Sequence, residues 1–216
     1  MGRVSKGSEM SENILLIGTG ALSTLFAARL SEAGHHVSML GTWKDGIHAL
    51  NQNGARISEA DGKERTFQVH ATDEPSKVRN VKHAIVLVKS WQTKRVAEKL
   101  KGILEPDGIV LTLQNGLGNR ETLARDLGAE RVALGVTTTG AALLGPGHVK
   151  VGGEGILSLE QNQALGPLEA ALRSSNFNLQ IVQNAQSLVW GKLIINAAIN
   201  PLTGIHACCW SILDRI

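Results

Sequence analysis

The apolar residues of this chain fall into two recurring patterns that alternate along its first half. Short continuous apolar runs are typical of buried strands, and longer runs with apolar residues every three or four positions are typical of helices. The first pair is a strand over Asn13–Ile17 and a helix over Ala21–Glu32, joined by a glycine-rich turn. This alternation with short connections predicts an α/β fold with a Rossmann-type doubly wound parallel sheet. Further strands are predicted at 36–40, 83–88 and 109–113, and further helices at 44–53, 91–101 and 119–127.

Two later segments depart from this alternation. Residues 56–58 and 65–69, on either side of Asp61-Gly62, predict a small hairpin. Residues 131–159 predict successive late strands of the same sheet, partly antiparallel. The remaining elements of the domain are a helix over 162–173 and a last strand over 179–182.

A long apolar pattern then begins a new kind of structure. Residues 187–200 predict a helix that starts a second, helical domain, but the chain has only 216 residues. We therefore expect three parts: a polar leader at 1–11, an α/β domain at 12–184 and an incomplete helical domain at 185–216. About thirty residues are too few to form an independent core.

Composition and charge exclude several classes of partner. The chain has no Tyr, three Phe and a net charge of only +3, so we expect a small anionic ligand rather than nucleic acid. No apolar run is long enough to span a membrane, and the N-terminus lacks a signal-peptide pattern, so no membrane partner is expected. Cys208 and Cys209 are adjacent and form no disulfide framework, which favours a cytoplasmic location. We predict no metal site.

The turn after the first strand is the strongest functional signal. Gly18-Thr19-Gly20-Ala21-Leu22-Ser23 reads G-x-G-x-x-S, one glycine short of the dinucleotide-binding fingerprint. The first glycine makes the tight turn, the second lets backbone approach a pyrophosphate, and the third position, where Ser is small enough, packs helix against strand. The helix N-terminus adds unpaired N–H groups and a positive dipole. The motif predicts an NAD(P)-binding domain over 12–184; the alternative is a helix-start turn with incidental glycines.

Cofactor choice is expected to depend on the residues after the second strand. An acidic residue there would pair with the ribose 2′-hydroxyl of NAD, but none occurs before Asp45, which the pattern places inside the next helix. Thr42 and Lys44 could instead accept the 2′-phosphate of NADP. We therefore favour NADP, with a solvated helix-start lysine as the alternative for Lys44.

Polar residues follow two further strands at the edge where ligands bind in such sheets. Lys89 ends the run Val86–Val88 and can orient a carbonyl or carboxylate, and Asn115 in Gln114-Asn115-Gly116 can donate to and accept from a cofactor or substrate. The alternatives are a lysine that reaches past apolar surface to solvent and a turn-forming Asn-Gly pair. Two polar residues on neighbouring strand ends are more specific than either one.

A polar stripe marks the last predicted helix. Lys192, Asn196 and Asn200 are spaced four residues apart and lie on one face of an otherwise apolar helix. Buried polar groups need partners, which a substrate and a cofactor could supply. The alternative is the solvated face of an amphipathic helix.

Together these residues resemble the ketopantoate reductase (2-dehydropantoate 2-reductase) family of the 6-phosphogluconate-dehydrogenase-like superfamily. The order and spacing match over residues 13–205, and the last of four matching segments is the most specific. The segments are Gly18–Leu22, Val88–Gln92, Gln114–Gly118, and Trp190–Leu193 continuing through Asn196 to Asn200–Thr203.

The resemblance implies NADPH-dependent reduction of 2-dehydropantoate to pantoate, a step of pantothenate (vitamin B5) biosynthesis. It implies that Lys192 is the catalytic general acid, that Lys89 and Asn115 contact both cofactor and substrate, and that Asn196 and Asn200 bind substrate hydroxyl groups. The chemistry agrees, because hydride arrival at a ketone builds negative charge on oxygen, which an ammonium group stabilises and protonates.

The chain departs from the family pattern at three points. Ser23 replaces the third glycine, Thr42 aligns where the family often has an arginine, and the C-terminal helical domain that supplies a serine and a glutamate is cut short. Two other functions are therefore carried forward: reduction of another 2-oxo acid, and an NADP-binding fragment without catalysis. Uncovered apolar surface on the helical segment 184–216 would favour a homodimer or aggregation.

Overall fold

The structure is a computed structural model that describes residues 12–205, without the side chains of 200 and 202–205. The predicted leader at 1–11, and the segment 206–216 with its two cysteines, lie outside the described residues. The strands are β1 (Asn13–Ile17), β2 (His36–Leu40), β3 (Ala55–Ser58), β4 (Glu64–Phe67), β5 (His70–Thr72), β6 (Val81–Val86), β7 (Leu104–Thr112), β8 (Val132–Thr137), β9 (Ala141–Gly145), β10 (His148–Val151), β11 (Ile156–Glu160) and β12 (Asn178–Val182). The α-helices are α1 (Ala21–Glu32), α2 (Lys44–Asn53), α3 (Thr93–Lys101), α4 (Asn119–Leu127), α5 (Gly166–Ser174) and α6 (Ala185–Ile205).

The main sheet confirms the predicted α/β class. It has eight strands in the order β12-β11-β8-β7-β6-β1-β2-β5. All neighbouring pairs are parallel except β8 and β11, which are antiparallel. Strand β5, which pairs with β2, is an element that the sequence pattern did not predict.

Helices cover both faces of this sheet. Ile14 and Leu16 of β1 belong to the apolar cluster that contains α1, whereas Leu15 and Ile17 belong to the cluster that contains α3. Strands buried on both faces are continuously apolar rather than alternating, as β1 is. This double burial explains why the short apolar runs were recognisable as sheet strands.

The order of the strands creates a switch point beside β1. The chain runs from β1 outward to β2 and β5, then returns to the opposite side of β1 to form β6. Connections on the two sides of such a point diverge, leaving a crevice at the carboxyl ends of the strands where ligands bind. The loops after β1, β2, β6 and β7 all open toward this crevice.

A separate four-stranded sheet corrects one prediction. The late strands over 131–159 were expected to continue the main sheet, but β9 and β10 join the hairpin strands in the order β4-β3-β10-β9. Strand β10 pairs in parallel with β3, and the Ser58 hydroxyl lies 2.8 Å from His148 Nε2 across the pair. Ile57, Val149 and Val151 are buried in the same cluster as α1. Burial beneath α1 therefore determines which sheet these strands join.

Helix α6 begins on the main sheet and then presents apolar side chains to solvent. Ala185 and Val189 are buried against Leu134 and Val136 of β8. Farther along, Trp190 is 51% exposed, Ile194 66% and Ile195 54%. Within residues 12–205, no helix is both long enough and apolar enough to cross a membrane.

Candidate active site

The glycine turn is fixed by contacts that leave no room for a side chain at its first position. Gly18 has φ +129°, and a Cβ built there would lie 2.6 Å from the Oγ of Ser23. Its N–H donates to the carbonyl of Leu40 at 2.8 Å, which ties the turn to the end of β2. Ser23 is 1% exposed, so the predicted close packing at this position is confirmed.

The N-terminus of helix α1, directly after the turn, is suited to binding an anion. Gly20 precedes α1, and neither a side-chain cap nor an acidic residue occupies the first turn of the helix. The first N–H groups of a helix have no partner within it and carry a partial positive charge. A phosphate fits this position because these N–H groups need an acceptor.

We expect the Gly18→Ala substitution to destabilise the fold by about 1–3 kcal/mol and to weaken dinucleotide binding. Alanine at this position would have to keep a φ of +129°, which L-residues avoid. Its methyl group would also clash with Ser23. Urea unfolding measures the first effect and cofactor titration the second. Gly20→Ala is the matched control for the unfolding measurement, because a Cβ at Gly20 meets nothing within 4 Å. Equal unfolding midpoints for the two variants would contradict this account.

A cleft of about 630 Å³ opens at the switch point, large enough for a nucleotide cofactor. The glycine turn forms one wall, and the loop after β6 with the start of α3 forms the opposite wall. Lys89, Arg95 and Lys99 are its cationic lining residues, and no acidic side chain of the described residues lines it. The cleft is therefore suited to an anionic ligand.

The predicted turn residues 18–22 all line this cleft, and of the four other predicted cofactor-binding residues the structure brings three into it and leaves one outside. Thr42, Lys89 and Asn115 line the cleft with exposed side chains. Lys44 does not line the cleft, since its Nζ donates to the Asp73 carboxylate. This carboxylate follows β5, so the partner of Lys44 could not be expected without knowledge of that strand.

Sequence reasoning missed a buried hydrogen-bond network beneath the cleft. Gln114, 7% exposed, donates through Nε2 to the Val88 carbonyl at 3.1 Å and to the Thr93 hydroxyl at 2.9 Å. Asn119 lies 2.9 Å from the same hydroxyl and donates to the carbonyl of Asn115 at 3.0 Å. These bonds join the loops after β6 and β7, which carry Lys89 and Asn115. The sequence signal for this network was the polar Gln114 directly after an apolar strand.

Lys192 and Asn196 of the predicted stripe lie together beside Asn115. All three line a small cavity of about 10 Å³ with Val136, Val189 and Leu193. Lys192 is half-buried, and its Nζ donates to the Thr137 carbonyl at the end of β8. Removal of its ammonium group from water lowers the pKa of Lys192 from the ordinary value of 10.5. Asn200 lies on the same helix, but its side chain is outside the described set.

No group of His, Cys, Asp and Glu side chains within the described part of the chain is arranged to hold a metal ion. The polar groups around the cleft are amides, hydroxyls and ammonium or guanidinium groups. These groups suit a phosphorylated or carboxylated organic ligand.

Comparison with known proteins identifies the family. The family model described as ketopantoate reductase PanE/ApbA matches residues 14–164. The chain belongs to the ketopantoate reductase family. This membership confirms the resemblance carried by the four sequence segments, and the family is one of NAD(P)-dependent oxidoreductases.

Named relatives of this ketopantoate reductase family member are longer than the chain. A 2-dehydropantoate 2-reductase of Archaeoglobus fulgidus is 34% identical over 199 residues, which cover 90% of this chain and 64% of the relative. A 2-dehydropantoate 2-reductase of Halobacterium salinarum is 31% identical over 197 residues, covering 89% and 65% respectively. The chain thus spans a little under two thirds of the length of these relatives.

Solved structures share the fold. A PanE/ApbA family ketopantoate reductase from Ralstonia eutropha JMP134 matches with a TM-score of 0.78 and 30% identity, over 86% of this chain and 61% of that one. D-Mandelate dehydrogenase, solved with NADH and anilino(oxo)acetate, matches with a TM-score of 0.81 and 25% identity, over 88% and 63%. The fold is therefore shared by reductases whose names indicate different substrates.

Proposed function

We propose that this chain carries the cofactor site and the general acid of an NADPH-dependent reductase that converts 2-dehydropantoate to pantoate in pantothenate biosynthesis. The observation that carries the proposal is the position of Lys192. Its half-buried ammonium group lies with Asn115 and Asn196 around one small cavity, and the lining of the neighbouring cleft suits a dinucleotide. The 2-dehydropantoate 2-reductase relatives support the choice of substrate.

The residues of the cleft fit a nicotinamide dinucleotide. The N–H groups after Gly20 would hold its pyrophosphate. The lack of a side chain at Gly18 permits the tight turn that brings the backbone to that position. Because no acidic described residue lines the cleft, nothing there matches the carboxylate that pairs with the ribose 2′-hydroxyl of NAD. This absence, with three cations in the lining, supports NADP as the cofactor.

The reaction needs one hydride and one proton. NADPH, when bound, supplies the hydride to the ketone carbon of the substrate. Lys192 would donate its proton to the ketone oxygen as negative charge develops there, and solvent would return a proton to the amine. Asn115 and Asn196, which border the same cavity, would accept from and donate to the polar groups of the substrate.

The direct test is an assay of the purified chain with NADPH and 2-dehydropantoate, followed by the absorbance of the reduced cofactor. Turnover supports the proposal. Binding of NADPH without turnover would contradict catalysis by this chain and favour the cofactor-binding fragment. Addition of purified 2-oxo acids with other side chains, at matched concentration, reports the substrate preference.

A second candidate function is reduction of another 2-oxo acid. It is favoured by the similarity to D-mandelate dehydrogenase, which was solved with NADH and anilino(oxo)acetate. A higher kcat/KM for an aromatic 2-oxo acid than for 2-dehydropantoate would support this candidate over the first.

We expect the kcat of the reductase to fall as pH rises through the pKa of Lys192, at a pH below the ordinary lysine value of 10.5. The sign follows from the mechanism, because the general acid must be protonated and burial lowers its pKa. A pH profile of kcat measures the descending limb. Lys192→Arg is the control, since arginine stays charged throughout this range and should remove that limb. A limb that persists in this variant would show that another group titrates.

A further inference from the structure

We infer that Arg95 and Lys99 bind the 2′-phosphate of NADP and thereby set the preference of the cleft for NADP over NAD. The inference rests on the proposed use of a nicotinamide dinucleotide. It places the recognition of the phosphate on helix α3, across the cleft from the loop after β2 where such recognition was expected.

Helix α3 is oriented so that one of its edges faces the cleft. Val96, Ala97 and Leu100 are buried with Leu15 of β1 and Leu40 of β2. Because this apolar side of α3 is buried in the core, the neighbouring side of the helix borders the opening. Arg95 and Lys99, four residues apart, occupy that side, and both line the cleft.

The two cations are neighbours on α3, and Lys99 lies within electrostatic range of Asp73, which follows β5. Burial and the charge of Arg95 lower the pKa of Lys99 below the ordinary value of 10.5, and the carboxylate of Asp73 partly opposes this shift. Asp73 directly follows Thr72, which pairs with Leu40 at the end of β2. In a doubly wound nucleotide site, the ribose that carries the 2′-position lies at the end of the second strand.

Neither cation has a partner of its own within the described structure. No hydrogen bond or ion pair joins the side chain of Arg95 or Lys99 to another side chain or to backbone in residues 12–205. The nearby carboxylate of Asp73 is already bound by Lys44. Like charges four residues apart slightly destabilise a helix, and an anion bound between these two side chains would relieve that repulsion.

The Arg95–Lys99 pair also explains how the 2′-phosphate of NADP could be bound without an arginine after β2. Thr42 lines the cleft at the position after β2, but a hydroxyl group offers no positive charge. Lys44 faces Asp73 instead of the cleft. Arg95 can form a bidentate contact with a phosphate, and Lys99 adds a compact charge beside it.

The test compares two probes that differ by one phosphate, 2′,5′-ADP and 5′-AMP. Both are titrated into the full chain, with calorimetry or intrinsic tryptophan fluorescence, to which the cleft residues Trp43 and Trp91 contribute, as the readout. We expect Arg95→Ala and Lys99→Ala each to weaken 2′,5′-ADP by about 10-fold, and the double variant by about 100-fold. The affinity for 5′-AMP should stay unchanged. Lys101→Ala is the matched control, since this lysine is exposed on α3 and does not line the cleft.

Several outcomes would overturn the inference. Equal losses of affinity for both probes would show that the two cations contact the 5′-phosphate. Unchanged affinity for both probes would show that they do not contact the ligand. A larger loss of 2′,5′-ADP affinity in Lys44→Ala than in the double variant would assign 2′-phosphate recognition to Lys44, in the segment after β2.

Failure of the inference can be told apart from failure of the proposed reaction. If the two α3 substitutions leave turnover with NADPH unchanged, the reductase activity stands and the role of Arg95 and Lys99 in 2′-phosphate binding is rejected. Selective binding of 2′,5′-ADP that depends on Arg95 and Lys99, without turnover, would support this role and reject the reaction.

Discussion

Lys192→Ala is expected to lower the turnover of 2-dehydropantoate by about 10²–10⁴-fold, the usual contribution of a positioned general acid. That loss corresponds to about 3–5 kcal/mol of transition-state stabilisation. The affinity for NADPH should stay close to wild type, because Lys192 lines the small cavity and not the cofactor cleft. Stopped assays with saturating NADPH give kcat, and direct titration gives cofactor affinity.

A structural explanation of the same loss can be excluded by two further measurements. Lys192 donates to the buried Thr137 carbonyl, so its removal could shift β8, and the thermal midpoint of the variant reports such a shift. Added methylamine can supply the missing ammonium group, and partial recovery of turnover would show that proton donation was lost. Lys101→Ala, at an exposed position, controls for the loss of a positive charge. Retention of wild-type kcat in Lys192→Ala would reject the assigned role.

Phe26→Ala is expected to lower the free energy of unfolding by about 3–5 kcal/mol, the range for removing a buried aromatic side chain. Phe26 lies on α1, is fully buried, and its ring centroid is 4.3 Å from that of Phe177. Phe177 precedes β12, so this contact joins α1 to the far edge of the main sheet. Because domains of this size are stable by only about 5–15 kcal/mol, much of the total would be lost.

Chemical denaturation measures this effect, with the midpoint and the slope compared between variants. Phe67→Ala is the matched control, since Phe67 is only partly buried at the edge of the small sheet. We expect a smaller loss for it, because less apolar surface leaves water on folding. A Phe26→Ala variant no less stable than Phe67→Ala would contradict the proposed importance of the α1 contact.

Much of the site could be predicted from short stretches of sequence. The glycine turn, the residues Lys89 and Asn115 after their strands, and the stripe that begins at Lys192 are all local patterns. Their placement follows from the chain direction in a parallel sheet, which brings the carboxyl ends of strands to one edge. The structure places the cleft at that edge and brings Lys192 and Asn196 beside Asn115.

Other features depended on contacts between distant segments. Gln114 hydrogen bonds to Thr93, 21 residues away, and no spacing rule links them. Lys44 pairs with Asp73 because β5 places that carboxylate beside β2. Arg95 and Lys99 face the cleft because the apolar residues of α3 fix its rotation on the sheet. In sequence they resemble the other charged residues of that amphipathic helix.

The α/β class, the glycine turn after β1 and the family to which the chain belongs all follow from the amino-acid sequence alone. Each depends on local periodicity or on a motif of consecutive residues, and burial imposes that periodicity directly on the chain. The departure of β9 and β10 from the main sheet, and the position of two α3 cations along the cleft, follow from contacts that are visible only in three dimensions. An apolar pattern shows that a face is buried, but the partner that buries it is chosen by packing among all the elements at once.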